Sequence, residues 1–131
     1  QPRAREVDYS RLKYILYGAS PIPLDLLREC MEVFGCGFVQ QYGMTETCGT
    51  IVYLPPEDHD PAGNARMRAA GLPMPGVEIK IVNEAGESLA PNAVGEVAVR
   101  SVSNMAGYWR LPEATAATVA ADGWLRTGDA G

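Results

Sequence analysis

Positive charge is in short supply in this chain. Eleven Lys and Arg stand against 16 Asp and Glu, for a formal net charge of −5. The basic residues are scattered, so there is no footprint for a nucleic-acid backbone or an anionic membrane surface. No apolar run approaches the roughly 18 residues of a membrane-spanning helix, and the start, Gln1-Pro2-Arg3-Ala4-Arg5-Glu6, lacks the apolar centre of a signal peptide. Cysteine is limited to Cys30, Cys36 and Cys48. An odd set without CxxC spacing excludes a zinc ribbon and a secreted disulfide framework, so the thiols read as reduced, with Cys30 a small hydrophobe on the inner side of a helix. The single histidine, His59, lies between Asp58 and Asp60 with no partner at ligand spacing, and reads as a solvated loop residue. Internal repeats and low-complexity segments are also missing. The expectation is a soluble protein of the cytoplasm.

The 131 residues, 47% of them hydrophobic, suffice for one compact domain or two small subdomains. Tyr14-Ile15-Leu16-Tyr17 is a short β-prone run stopped by Gly18-Ala19-Ser20-Pro21. Pro21 and Pro23 suit the start of a helix, and Leu24, Leu27, Met31 and Phe34 then repeat at helical spacing. This predicts a helix over 23–34, ended by Gly35 and Gly37. Phe38-Val39-Gln40-Gln41-Tyr42 restores β character, and strand, helix and strand at these lengths make a βαβ unit of a parallel sheet. Gly49–Leu54 reads as one more strand and 55–70 as an aperiodic polar connection. From Gly71 the texture changes: Val77, Ile79 and Ile81 alternate with Glu78, Lys80 and Val82, Asn83-Glu84-Ala85-Gly86 is a turn, and Val94–Arg100 is a second alternating strand. A short helix starts at Pro112, and Asp122-Gly123 turns into Trp124-Leu125-Arg126-Thr127. The predicted fold is α/β: a βαβ piece of a parallel sheet over 1–54, a connecting loop over 55–70, and an antiparallel, β-barrel-like subdomain over 71–131.

Ligands of parallel sheets sit beyond the carboxyl ends of the strands, which puts Gly18-Ala19-Ser20 beside Gln41-Tyr42-Gly43-Met44-Thr45-Glu46-Thr47. The latter reads as a glycine-broken loop carrying a nucleotide-handling set. Tyr42 offers a flat face to a purine, and Gly43 allows a tight turn or close approach. Thr45 can donate to a phosphoryl oxygen, and Glu46 is a hard oxygen ligand suited to Mg²⁺. Taken alone, the same residues also fit a strand ending in a tight turn with Glu46 in water.

Tyr42-Gly43-Met44-Thr45-Glu46-Thr47, Gly76 with Ile79, Gly95-Glu96-Val97, Gly107-Tyr108-Trp109, Pro112-Glu113-Ala114-Thr115 and Asp122-Gly123-Trp124-Leu125-Arg126-Thr127-Gly128-Asp129, in this order and spacing, resemble the adenylate-forming superfamily of acyl-CoA synthetases, luciferases and peptide-synthetase adenylation domains. The resemblance covers nearly the whole chain and implies part of such an enzyme's N-terminal domain. It implies a two-step ligase using a small carboxylic acid, ATP with Mg²⁺, and CoA as co-substrate. Carried over residue by residue, Tyr42 would stack on adenine against the backbone of Gly18, Ala19 and Ser20. Thr45 would hold the α-phosphate, Glu46 would bind the metal, and Asp129 would accept from both ribose hydroxyls. Gly43 and the turn at Gly18 would line the acyl pocket. Met44 favours the CoA-ligase branch, where peptide-synthetase domains usually carry proline, while Ala19 in the first turn departs from the family's common double glycine. Tyr108, Trp109 and Trp124 read as core and interface aromatics, and Arg100 and Arg126 as salt-bridge partners.

The family's phosphate loop and the lysine of its small C-terminal domain have no counterpart among these residues. The expectation is an excised piece of an acyl-CoA ligase, inert by itself. Other readings are an oligomerising scaffold in which exposed apolar faces pair with a second copy, an adenylation domain of a peptide synthetase, and an independent β-rich binding module that leaves Tyr42–Thr47 unexplained.

Overall fold

The structure is a computed structural model and describes residues 2–131; Gln1, the first residue of the expected 1–54 segment, lies outside them. The chain forms two compact units, one of residues up to Tyr42 together with Val52–Leu72, the other of Gly43–Ile51 together with Pro73–Gly131. Among the described residues no helix is long and apolar enough to cross a membrane.

Most of a four-stranded sheet, in the order β1-β2-β3-β4, belongs to the first unit: β1 is Tyr14–Gly18, β2 Gly37–Met44, β3 Gly49–Leu54 and β4 Leu72–Pro73. The predicted βαβ unit is present. β1 and β2 run parallel, in register from Tyr14 opposite Gly37 to Gly18 opposite Gln41, and α1, Leu24–Phe34, connects them. Pro23 is the N-cap with extended backbone, so the helix starts one residue later than its proline suggests. Leu27 N–H closes the first turn onto Pro23 O at 3.0 Å. Gly35 ends the helix at φ 56°, its N–H on Met31 O, in the left-handed conformation that glycine tolerates. Gly37 acts differently, since a Cβ there would lie 2.8 Å from the Tyr14 ring, and the residue opens β2 beneath an aromatic lid. The helical stripe is buried only in part. Leu27 is 2% exposed, a burial that contributes about 2 kcal/mol, while Leu24 remains 38% exposed and Cys30 is half-buried rather than enclosed.

The polar connection is more ordered than its composition implies. Short 3-10 turns form at Pro56–Asp58 and Ala65–Arg68, the second capped by Asn64 Oδ1 accepting Met67 N–H. Arg66 pairs with Asp58, and the Arg28 guanidinium reaches the carbonyls of Pro61 and Ala62. His59 corrects the sequence reading: it is 8% exposed. Nδ1 lies 2.9 Å from Pro55 O and must donate there, because a carbonyl only accepts. Nε2 lies 2.9 Å from the Tyr17 hydroxyl, which also contacts Gln40 Oε1 at 3.1 Å. The histidine thus satisfies buried polar groups between the connection and β1, a tertiary role with no local sequence signal.

The second unit holds a three-stranded antiparallel sheet, β5-β6-β7, of Glu78–Val82, Glu96–Arg100 and Leu125–Ala130. It is open, with β5 and β7 as edges, so the barrel-like closure expected from the sequence is not formed. Three strands are far short of the number that closes on itself with a filled interior. Ile51, Val82, Val97, Ala98, Val99 and Leu125 make the core. Val82, expected on the polar side of its strand, is 2% exposed because the strand ends there in the Asn83–Glu87 turn, closed by Gly86 N–H to Asn83 O and Glu87 N–H to Asn83 Oδ1. α2, Pro112–Thr118, matches the predicted start. Both expected arginine pairs occur: Arg100 is bidentate on Glu78, at 2.9 and 2.7 Å, and Arg126 grips Glu96. Trp124 is half-buried under Lys80 and Arg100, 4.3 and 4.9 Å from the ring centre, whereas Trp109 is 85% exposed and no part of the core.

These contacts can be tested by substitution. His59→Ala should lower the unfolding free energy in urea by roughly 1–3 kcal/mol, because Pro55 O loses the donor His59 supplies and the Tyr17 hydroxyl loses one of its two partners, keeping Gln40; a change within about 0.5 kcal/mol would restore the solvated reading. Hydrogen bonding from Arg126, and then from Gly128 N–H, holds the Glu96 carboxyl below its ordinary value of 4.5. A carboxylate depressed in the folded state stabilises fully above its unfolded value, and the contribution fades as pH falls through the folded one. The stability gap between the wild type and Glu96→Gln should therefore be widest near neutrality and shrink below about pH 4; a gap that grows on acidification would contradict the pairing.

Candidate nucleotide and metal site

The central stretch is a strand running into one tight turn. β2 continues through Gly43 and Met44, so the expected glycine-broken loop is corrected to extended chain up to Met44. Gly43 has no positive φ. A Cβ there would fall 2.0 Å from Gly49 O, so the residue is fixed by backbone approach between the two ends of the turn. Gly18 is constrained alike, its virtual Cβ 2.1 Å from Gln41 O.

Thr45-Glu46-Thr47 is a single 3-10 turn, entered from extended Met44 and left through Cys48 at φ 53°. Thr47 closes it. The residue is 1% exposed, and its Oγ1 accepts Met44 N–H at 3.1 Å while lying 2.9 Å from Met44 O and 2.8 Å from Gly49 O, either of which can take its proton. With the third residue inside, the first two face outward: Thr45 is exposed and Glu46 half-buried. A hydroxyl and a carboxylate are thus presented by consecutive residues on a turn closed by three contacts of Thr47 Oγ1.

Glu46 is held twice more. Its carbonyl accepts Met105 N–H at 2.7 Å, and its Oε1 accepts the Tyr108 hydroxyl at 2.8 Å. The carboxylate raises the Tyr108 phenol above its usual value, because the neutral hydroxyl is the donor, and desolvation adds to the shift. Tyr108 is therefore a contact of the site, not the core aromatic its sequence context suggested. Its signal is present in the sequence as the spacing between Gly107-Tyr108-Trp109 and Thr115, but nothing local ties it to Glu46, 62 residues away.

Of the other named residues, Gly18, Ala19, Ser20 and Tyr42 lie in the first unit and Asp129 in the second, with Thr45 and Glu46. The β1–β2 register brings Gly18 opposite Gln41, the neighbour of Tyr42. Ala19 leaves β1 at φ 63°, a left-handed conformation that costs an alanine roughly 1 kcal/mol. Asp129 is exposed on β7, its N–H on Thr127 Oγ1 at 3.1 Å, while Gly128 N–H donates to Glu96 Oε1 at 2.9 Å. Thr127 Oγ1 in turn donates to Val97 O at 2.8 Å. The carrier of Asp129 is thus fixed to β6 by two side chains.

No cluster of three or more His, Cys, Asp or Glu able to hold a metal occurs among the described residues. Glu46 fits Mg²⁺ in the manner that needs none: one carboxylate from protein, the rest of an octahedral shell from phosphate and water. Its Oε1 is engaged by Tyr108, which leaves Oε2 for a cation.

Known proteins resemble this chain in sequence and fold. The family model described as AMP-binding enzyme matches residues 1–109. The chain is 47% identical over its full length to fatty acid–[acyl-carrier-protein] ligase ScoC of Streptomyces coeruleorubidus, covering 25% of that protein. It superposes on the amide bond synthetase McbA of Marinactinospora thermotolerans with a TM-score of 0.87 and 40% identity, covering 100% of this chain and 26% of McbA. The O-succinylbenzoate coenzyme A synthetase MenE of Bacillus subtilis, solved in complex with ATP and magnesium ion, matches with a TM-score of 0.76 and 40% identity over 91% of this chain and 24% of MenE. The chain thus spans about a quarter of the length of these relatives. On the family match and the full-length identity to a ligase, this chain belongs to the AMP-binding enzyme family of adenylate-forming ligases.

Proposed function

We propose that the protein is an ATP-dependent acid–thiol ligase of the acyl-CoA synthetase kind. A carboxylate oxygen of the acid attacks the α-phosphorus of ATP, the bond to the bridging oxygen breaks, and pyrophosphate leaves. The thiolate of CoA then attacks the acyl carbon of the mixed anhydride and AMP departs. The observation that carries this reading is the Thr47-closed turn that sets an exposed Thr45 hydroxyl beside the Glu46 carboxylate, in a chain of the AMP-binding family. In this reading Thr45 holds the α-phosphate, and Glu46 holds Mg²⁺, which neutralises charge developing on the phosphoryl oxygens. Tyr42, with Gly18, Ala19 and Ser20, receives adenine, Asp129 the ribose hydroxyls, and Gly18 and Gly43 border the acyl group. CoA as the acceptor rests on the family branch indicated by Met44 and on the coenzyme A synthetase among the relatives, beside an acyl-carrier-protein ligase and an amide bond synthetase. The cytoplasm, where ATP and CoA are abundant, is its proposed place of work.

These 131 residues contain one wall of the site and are proposed to be inert when isolated, since phosphoryl transfer depends on several groups held in place at once. In the whole protein, Glu46→Ala should reduce ATP–pyrophosphate exchange, driven by fatty or aryl acids, by at least about a hundredfold with little loss of stability. Exchange at the wild-type rate would remove the metal role of Glu46, and exchange by the isolated 131 residues would refute the incomplete-site reading.

One observation favours a second reading, in which the isolated chain self-associates. On β1, the strand at the edge of its sheet, Tyr14 and Leu16 are 58% and 59% exposed, and exposed apolar edge strands tend to find partners. Light scattering of the 131-residue chain should then show a dimer or larger species; a monomer at high concentration would dismiss it.

A further inference from the structure

We propose that Tyr108 is a positioning residue for Glu46, fixing one carboxylate oxygen so that the other is presented to the metal, and that Thr115 fixes Tyr108. This rests on the reading of Glu46 as the metal ligand and extends it to two motifs, Gly107-Tyr108-Trp109 and Pro112-Glu113-Ala114-Thr115, that otherwise have no part in the site.

Contacts at both ends of Tyr108 support the assignment. At the phenol, the hydroxyl donates to Glu46 Oε1 at 2.8 Å. A phenol has one proton to give and a carboxylate two oxygens to receive, so the contact orients the group without occupying Oε2. A hydrogen bond to an ionised acceptor is stronger than one between neutral groups, and it offsets rotamer freedom that a half-exposed glutamate would otherwise keep. The Met105 N–H on Glu46 O, at 2.7 Å, comes from the same loop, so backbone and side chain of Glu46 are held together.

At the backbone, Tyr108 N–H donates to Thr115 Oγ1 at 2.9 Å, and Thr115 Oγ1 lies 2.9 Å from Leu111 O, to which it donates. Thr115 thereby closes the first turn of α2 and anchors the tyrosine in one step. Gly107 makes the approach possible: at φ 145°, a Cβ there would lie 2.6 Å from Thr115 Cγ2, so only glycine lets the loop lie this close to the helix. The neighbouring Trp109 is 85% exposed and contributes nothing to this path. The order of dependence therefore runs from Thr115 to Tyr108 to the orientation of the Glu46 carboxylate.

Groups that orient a ligating carboxylate act on metal affinity itself, which separates this role from packing. The test uses the whole protein and follows Mn²⁺ binding by electron paramagnetic resonance with the unreactive α,β-methylene analogue of ATP, alongside thermal melting. Tyr108→Phe, which keeps the ring and removes only the hydroxyl, should weaken Mn²⁺ binding by roughly tenfold while leaving the melting temperature and metal-free nucleotide binding unchanged. Thr115→Val should weaken it to a lesser degree and Thr115→Ser restore it. Glu46→Gln should weaken it too, and Tyr108→Phe should add nothing in that background. Wild-type Mn²⁺ affinity in Tyr108→Phe and Thr115→Val, with loss in Glu46→Gln, would overturn the positioning role alone. Wild-type affinity in Glu46→Gln would instead overturn the metal reading on which it rests.

Discussion

One buried hydroxyl controls the geometry of the candidate site. Thr47 Oγ1 touches Met44 N–H, Met44 O and Gly49 O, and so staples the end of β2 to the start of β3 across a single 3-10 turn. The staple works only because Gly43 and Gly49 approach closely enough to forbid a side chain between them. Everything chemical on the turn is a by-product of that closure. With Thr47 facing in, Thr45 and Glu46 face out, and their separation and direction are fixed by backbone rather than by flexible side chains. Removing the hydroxyl would leave Met44 N–H without this acceptor and one of the Met44 and Gly49 carbonyls without this donor, a loss felt at the site as much as in stability.

Elsewhere in the second unit, hydrogen bonds and an ion pair hold the groups that reach this turn and the strand that carries Asp129. Met105 and Tyr108 reach Glu46 from one loop, and Glu96, itself gripped by Arg126, accepts Gly128 N–H beside Asp129. Carboxylates thus serve in two ways: Glu96 is paired with a guanidinium and acts as a fastener, while Glu46 has one carboxylate oxygen on the Tyr108 hydroxyl and its backbone carbonyl on the Met105 N–H. That contrast distinguishes a structural acid from a candidate metal-binding one.

Much of the fold was legible because it is written in local pattern. The β-prone run at Tyr14, the helical spacing of Leu24, Leu27, Met31 and Phe34, and the return of β character at Phe38 produced the parallel βαβ unit at nearly its true boundaries. The stretch around Glu46 was legible as a chemical inventory and, through six spaced motifs, as a family. Contacts between distant segments were not legible. His59 looked solvated because its neighbours are acidic, yet Tyr17 and Pro55 enclose it. Gly43 could serve a tight turn or a close approach, and sequence cannot distinguish the two; the fold uses it for close approach, to the backbone of Gly49. The alternating strands after Gly71 suggested part of a small barrel or a curled sheet, but alternation specifies two faces and says nothing about how many strands complete the sheet. Tyr108 looked like an ordinary aromatic until the fold set its hydroxyl against Glu46.

The most direct measurement is a crystal structure of the whole protein with the α,β-methylene analogue of ATP and Mn²⁺, located by its anomalous scattering. The expected result is a metal peak about 2.1 Å from the free oxygen of Glu46, with the other oxygen still on the Tyr108 hydroxyl and Thr45 against the α-phosphate. A metal held by another carboxylate, with Glu46 turned away from the phosphates, would contradict the assignment of Glu46 as the metal ligand.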